Sequence, residues 1–370
     1  MLKVLIVDDS AFFRRSLVAA LEKDPEIKVV GQARNGEEAV ALTRELDPDV
    51  VTMDVEMPRM DGISALERIM AETPCPVLMV SSLTSEGAQT TLKALERGAL
   101  DFITKGTPDL SWMQRELPAK LKALARRKAY VRLARRKPLP PRPQPGDPPQ
   151  PGDHPPHEPS AQIHSAPRRV MPVVLPGSGF RYDAVAIGVS TGGPPAVQRI
   201  LAAIPAEFPV PLLIAQHMPA TFTGPFAVRL DSQSRISVKE AEAVERARAG
   251  TAYVCPGGKH LRLENRKGSL FIAVTEEPKE ALYKPSANVL METAGLALGP
   301  RALCVMLTGM GSDGLEGTKI LKSKGGYVIA QSEATCVVYG MPKALVDWNL
   351  ADEIVDLDDM AAAIVSAVVR

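Results

Sequence analysis

Long apolar runs are missing from this chain. No uninterrupted apolar stretch is long enough to span a bilayer, and Met1 to Val7 runs straight into Asp8 and Asp9 rather than into the core of a signal peptide. Together these absences predict a cytoplasmic protein. A charge excess of either sign is missing too. With Lys+Arg 44 against Asp+Glu 43, the formal net charge of +1 gives no bulk attraction to nucleic acid or to a membrane surface, so any charge argument must be local. Cysteine is scarce: Cys75, Cys255, Cys304 and Cys336 lie far apart in apolar runs and form no C-x-x-C pair. That pattern fits buried reduced thiols and disfavours a disulfide framework or zinc site. What remains is ordinary: 45% hydrophobic and 24% charged residues describe a globular protein, and 370 residues predict two domains.

The first domain is predicted over residues 1–124. Lys3 to Val7 is an apolar run ending in Asp8 and Asp9, after which Ser10 can cap a helix to about Leu21. The rhythm repeats with Val29 and Val30 then Gly36 to Glu45, Val50 to Met53 then Gly62 to Ala71, and Val77 to Val80 then Gln89 to Glu96. It closes with Phe102 to Thr104 and a last helix from about Trp112. Five apolar strands alternating with helices predict a parallel, doubly wound sheet, whose ligands gather at the carboxyl ends of the strands. Those ends carry Asp8 and Asp9, Asp54, Ser81 and Lys105. Clustered carboxylates repel unless a hard cation shares them, which suggests Mg²⁺, with Asp54 as an acceptor of a phosphoryl group.

This segment resembles the receiver domain of response regulators, a flavodoxin-like fold. The resemblance implies that Asp8, Asp9 and Asp54 bind Mg²⁺, that Asp54 is phosphorylated, and that Ser81, Lys105 and the switch aromatic Phe102 sense the phosphoryl group. Met57-Pro58-Arg59-Met60-Asp61-Gly62 is similar to the loop that follows the family's phosphorylated aspartate. Gly106 departs from the proline usual after the lysine.

Residues 125–180 read as a tether. A basic run holds Arg126, Arg127, Lys128, Arg132, Arg135, Arg136 and Lys137, either a solvated helix end or a docking surface. From Pro138 to Pro176 prolines recur with few apolar residues, so a semi-extended linker is expected. His154, His157 and His164 within it lack the partners of a metal site.

Residues 181–370 again alternate apolar strands and helices. The strands are Val185 to Ile187, Pro211 to Ala215, Thr251 to Val254, Leu270 to Val274, Leu303 to Leu307 and Tyr327 to Ala330. They predict a second, mostly parallel α/β domain with a hairpin of Leu261 to Glu264 and Leu270 to Val274 flanking Lys267-Gly268. Gly188, Ser190 and Gly192 give the G-x-S-x-G spacing of a nucleophile on a sharp turn, ahead of a helical pattern resuming at Val197. His217 and Asp313 each follow a buried strand. A serine hydroxyl needs a base and a carboxylate to orient it, and these residues fit those roles, with His260 as the rival base. Gly309, Gly311 and Gly314 with Glu333 compete as a dinucleotide fingerprint, but Asp313 would then face a pyrophosphate and Ser190 and His217 would go unexplained. A domain that only binds a partner is the other alternative. A DNA-binding output is disfavoured, since no basic recognition helix appears here.

Several motifs stand together and in order: Gly188-Val-Ser-Thr-Gly-Gly-Pro194, Gln216-His-Met-Pro219 with Phe222-Thr223 and Phe226, Cys255-Pro-Gly-Gly-Lys-His260, Leu307-Thr-Gly-Met-Gly-Ser-Asp-Gly314 and Tyr339-Gly-Met-Pro342. They resemble the chemotaxis-type protein-glutamate methylesterase family, CheB. The resemblance implies a Ser190, His217 and Asp313 triad with oxyanion donors from the backbone of Thr191 and Met310. It also implies hydrolysis of glutamate methyl esters and deamidation of glutamines on chemoreceptor helices, with a histidine kinase of the CheA type as phosphodonor. A monomer without nucleic acid is expected, reaching the membrane only through receptors and needing no cofactor for ester chemistry. Ala287-Asn288 departs from the family's Val-Asp.

Overall fold

The computed structural model describes residues 1–105, 113, 116–136 and 181–369. Gly106, Trp112, the proline tract and its three histidines lie outside the described residues.

The first domain is a parallel sheet of β1 (Leu2–Val7), β2 (Ile27–Ala33), β3 (Val50–Asp54), β4 (Val77–Ser81) and β5 (Asp101–Thr104), ordered β2-β1-β3-β4-β5. Residues throughout β3 and β4 are buried, because helices cover both faces: α1 (Ala11–Leu21), α2 (Gly36–Leu46), α3 (Gly62–Glu72), α4 (Ser85–Glu96) and α5 (Leu117–Ala125). The helix starts follow capping chemistry. Ser10, Asn35, Asp61 and Thr84 each accept a backbone N–H three residues on, satisfying donors that a helix start leaves free. Thr84 starts α4 at Ser85, four residues before the expected Gln89, because the first turn lacks apolar periodicity.

The basic run forms α6 (Lys128–Arg136) and folds back on its own domain. Lys128 Nζ lies 3.0 Å from both Asp47 Oδ1 and Asp49 Oδ1, and Arg132 pairs with Asp47. Lys128 and Arg132 of the run are therefore not purely solvated.

The second domain is a parallel sheet in the order β15-β14-β13-β6-β7-β10-β8. Its strands are β6 (Ala184–Val189), β7 (Leu212–Gln216), β8 (Ser237–Glu240), β10 (Thr251–Val254), β13 (Ala302–Met306), β14 (Tyr327–Gln331) and β15 (Glu353–Val355). Its helices are α7 (Gly193–Ala203), α8 (Ala220–Gln233), α9 (Ala287–Leu298), α10 (Leu315–Ser323), α11 (Met341–Asp347) and α12 (Leu357–Val369). Helix α7 begins at Gly193, before the expected Val197, since Pro194 and Pro195 occupy first-turn positions where a missing N–H costs nothing.

The hairpin is real but stands outside the main sheet. Strands β11 (His260–Arg266) and β12 (Ser269–Thr275) pair antiparallel and, with β9 (Val244–Arg246), form a separate three-stranded sheet. Leu270 to Val274 is thus not a strand of the parallel sheet as expected. The short strands β8, β9 and β15 escape sequence reading because three or four partly exposed residues show no clear period.

In the main sheet β6 is flanked by β13 and β7, so successive connections leave it in opposite directions, and the crevice above its carboxyl end is where such folds bind ligands. In the first domain a close approach fixes the analogous corner: a Cβ on Gly62 would lie 1.9 Å from the Asp54 carbonyl oxygen. Gly62→Ala is expected to cost about 1–3 kcal/mol of stability by overpacking. Urea denaturation of the intact chain checks this as a lowered midpoint for the first domain; an unchanged midpoint contradicts it.

Candidate functional site

The carboxyl ends of β13, β6 and β7, three adjacent strands, carry Asp313, Ser190 and His217 on the loops that follow them. The Ser190 turn closes through a bond from Gly193 N–H to the Ser190 carbonyl at 2.8 Å, with Gly192 at φ +76°. The Ser190 N–H is held by the Thr308 carbonyl at 3.0 Å, and a Cβ on Gly309 would lie 2.8 Å from Ser190 Cβ. The glycine turn that carries Asp313 therefore presses directly against the serine.

His217 Nε2 lies 2.8 Å from Asp313 Oδ2, and its buried Nδ1 has no partner. With Nε2 engaged by the carboxylate, Nδ1 is the atom left to take a proton. No hydrogen bond joins it to the Ser190 hydroxyl in this structure. Tyr283 stacks on the other side of the imidazole, ring centroids 4.2 Å apart and planes 11° apart, which fixes the ring's tilt. Asp313 is only 7% exposed. Its Oδ1 accepts from Ser286 Oγ at 2.9 Å and Asn288 N–H at 3.2 Å, and its Oδ2 from Ala287 N–H at 2.6 Å. Burial works against its charge, but the bonds from His217, Ala287 and Ser286 outweigh that and hold the carboxyl below its ordinary range. Among the described residues neither the Thr191 nor the Met310 backbone N–H has an acceptor. Asn288, at the noted departure, caps α10, its Oδ1 accepting from Gly314 N–H at 3.0 Å and Gly317 N–H at 2.9 Å.

Sequence reading missed the role of Gln216. Its buried side-chain amide donates to the Ser190 carbonyl at 3.0 Å and to the His217 carbonyl at 3.1 Å, tying the two loops together. Its position next to His217 was the only signal. His260, the rival base, is buried away from solvent with both ring nitrogens engaged elsewhere.

The acidic site of the first domain also assembles. Carboxylate oxygens of Asp8, Asp9 and Asp54 lie within 4.8 Å of one another. Lys105 Nζ sits 2.7 Å from Asp54 Oδ2 and 2.8 Å from Asp8 Oδ2, the latter as an ion pair without hydrogen-bond alignment, so that buried oxygen retains an open lone pair. An all-carboxylate oxygen set with such an atom fits Mg²⁺. Burial raises the Asp54 carboxyl to about 6, Lys105 opposing and Asp8 and Asp9 reinforcing the shift. Burial also opposes the Lys105 charge, yet its two carboxylate neighbours, Asp54 and Asp8, raise it. The two shifts differ in meaning because one ammonium is shared by two acids.

Ser81 is the exception. Its hydroxyl bonds to α4, accepting from Thr91 Oγ1 at 2.7 Å and donating to the Gly87 carbonyl at 3.2 Å. Phe102 is 7% exposed because it stacks on Phe222 of α8 across the domain boundary, centroids 4.5 Å apart. Beside that stack Arg229 of α8 pairs with Glu96 of α4, its Nε 2.6 Å from Glu96 Oε1, and Gln233 Nε2 donates to the same oxygen at 2.9 Å. No sequence signal marked Glu96 or Arg229.

Residues 185–364 match the family described as CheB methylesterase, and residues 4–114 match the response regulator receiver domain. The protein-glutamate methylesterase/protein-glutamine glutaminase 1 of Oleidesulfovibrio alaskensis is 57% identical over 374 aligned positions, covering 100% of both chains. Its counterpart numbered 2 in Nitratidesulfovibrio vulgaris is 56% identical, again covering 100% of both. The crystallised CheB methylesterase catalytic domain of Thermotoga maritima is 37% identical, with a TM-score of 0.49, and covers 50% of this chain and 99% of its own.

Gln216→Leu removes both donors at similar volume. Loosening the two loops is expected to lower ester turnover by up to about a hundredfold, mainly in kcat; steady-state kinetics returning wild-type kcat would contradict the tie.

Proposed function

The chain belongs to the CheB family of protein-glutamate methylesterase/protein-glutamine glutaminases, hydrolases joined to a response regulator receiver domain, and from that premise we propose that it demethylates and deamidates chemoreceptor helices under phosphorylation control. The observation that carries the ester chemistry is His217 bonded through Nε2 to the buried Asp313 carboxylate, with Nδ1 unpartnered. In this reading Nδ1 takes the Ser190 proton as the hydroxyl oxygen attacks the ester or amide carbonyl. The N–H groups of Thr191 and Met310 stabilise the oxyanion, each such donor being worth about 3 kcal/mol. His217 then protonates the leaving methoxy oxygen or amide nitrogen, so that methanol or ammonia departs, and water resolves the acyl-enzyme with His217 as base again.

Domain boundaries at 1–124, 125–180 and 181–370 accompany this reading, the middle segment acting as tether. A histidine kinase of the CheA type supplies the phosphoryl group to the Asp54 carboxylate. Mg²⁺ held by Asp8, Asp9 and Asp54 would offset charge on the phosphoryl oxygens. Lys105, already paired with Asp54, orients that group. Recruiting the Ser81 hydroxyl to a phosphoryl oxygen takes it from Thr91 and Gly87 of α4, the helix whose Glu96 clasps Arg229. Phe102 and Phe222 then unstack and the domains part. In this reading the protein is a cytoplasmic monomer that meets the membrane through its receptor; among the described residues no helix is long and apolar enough to cross a membrane.

Methanol release from methylated receptor membranes tests the reading, with wild type and Ser190→Ala, each with and without a small-molecule phosphodonor and Mg²⁺. Release that the donor accelerates and the alanine variant lacks is expected. Equal inactivity of both proteins in the presence of donor would leave a binding module as the better account.

A further inference from the structure

We propose that His260 is a positioning residue for the hydrolysis: through the segment 286–288 it fixes the Asp313 carboxylate, and through that carboxylate the His217 ring. The inference rests on the ester chemistry proposed above.

Among the described residues, every donor to Asp313 apart from His217 comes from one short segment: Ser286 Oγ, Ala287 N–H and Asn288 N–H. Where that segment sits decides where the carboxylate sits. Its leading end is anchored by His260, whose Nδ1 accepts the Ser286 backbone N–H at 3.3 Å. The neighbouring Gly258 N–H holds the Lys284 carbonyl at 3.0 Å, so the Gly257 to His260 loop grips the segment at two points.

The imidazole is fitted to this work. It is 0% exposed, and Nε2 faces the Pro278 carbonyl at 3.2 Å, an acceptor only. Nε2 must therefore carry the hydrogen and Nδ1 the lone pair, which is a neutral ring in one tautomer. Burial keeps its pKa below the ordinary histidine value, in keeping with that state. A proton on Nδ1 would set a donor against the Ser286 N–H and release the anchor. Outer residues that orient a catalytic group typically matter by about ten- to a hundredfold in activity.

The test is methanol release kinetics on methylated receptor membranes for wild type, His260→Leu, His260→Asn, and His260→Leu in an Asp313→Ala background. His260→Leu should lower kcat about ten- to hundredfold with KM unchanged. His260→Asn, whose side-chain oxygen can accept the same N–H, should recover most of the loss. In the Asp313→Ala background the leucine should cost less than about twofold, because coupled residues are not additive. Wild-type kcat in His260→Leu, an asparagine variant as impaired as the leucine one, or equal losses with and without Asp313 would each overturn the proposal. If His260→Leu does not fold, Ser286→Ala serves: it must lower kcat at unchanged KM, and wild-type kcat overturns the proposal. Absence of methanol release by the wild type would instead sink the functional reading, and this proposal with it.

Discussion

A single buried carboxylate organises the catalytic domain. Asp313 accepts hydrogen bonds from His217, Ser286, Ala287 and Asn288, drawn from the loop after β7 and the start of α9. An ionised carboxylate buried without such partners would be costly, so the loops that carry these donors are held together by its charge. The consequence for chemistry is direct: with Nε2 committed to Asp313, only Nδ1 of His217 is left to serve as base.

The second constraint joins the two domains. Phe102, near the start of β5, is covered by Phe222 on the helix that follows His217 and Met218, and Glu96 on α4 clasps Arg229 further along that helix. Two contacts, one aromatic and one ionic, thus join the receiver to helix α8. Ser81 lies at the end of the neighbouring strand, and its hydroxyl accepts from Thr91 of the same helix α4.

Much of this was legible in the sequence. Ser190, His217 and Asp313 each follow an apolar run, and strand ends are where such folds do chemistry, so the three could be named before any coordinates. The acids and lysine of the receiver were legible for the same reason. The dinucleotide fingerprint at Gly309 to Gly314 was legible too, and misleading: its glycines let the turn press against Ser190 while delivering Asp313 to His217. Ser286, Gln216 and the anchor at His260 were not, because their roles depend on how turns bring distant loops together, which leaves no period. The clasp of Glu96 and Arg229 was hidden altogether, since two charged residues on separate amphipathic helices look like ordinary solvated side chains.

The central claim is that Ser190 is activated through His217 by Asp313. Labelling with a serine-directed fluorophosphonate, read by mass spectrometry of the intact and digested chain, tests it most directly. The account predicts one adduct, on Ser190, formed far more slowly in Asp313→Asn, in line with the roughly 10⁴-fold loss that such a change produces elsewhere. An adduct on another residue, or Ser190 labelled at the wild-type rate in Asp313→Asn, would contradict it.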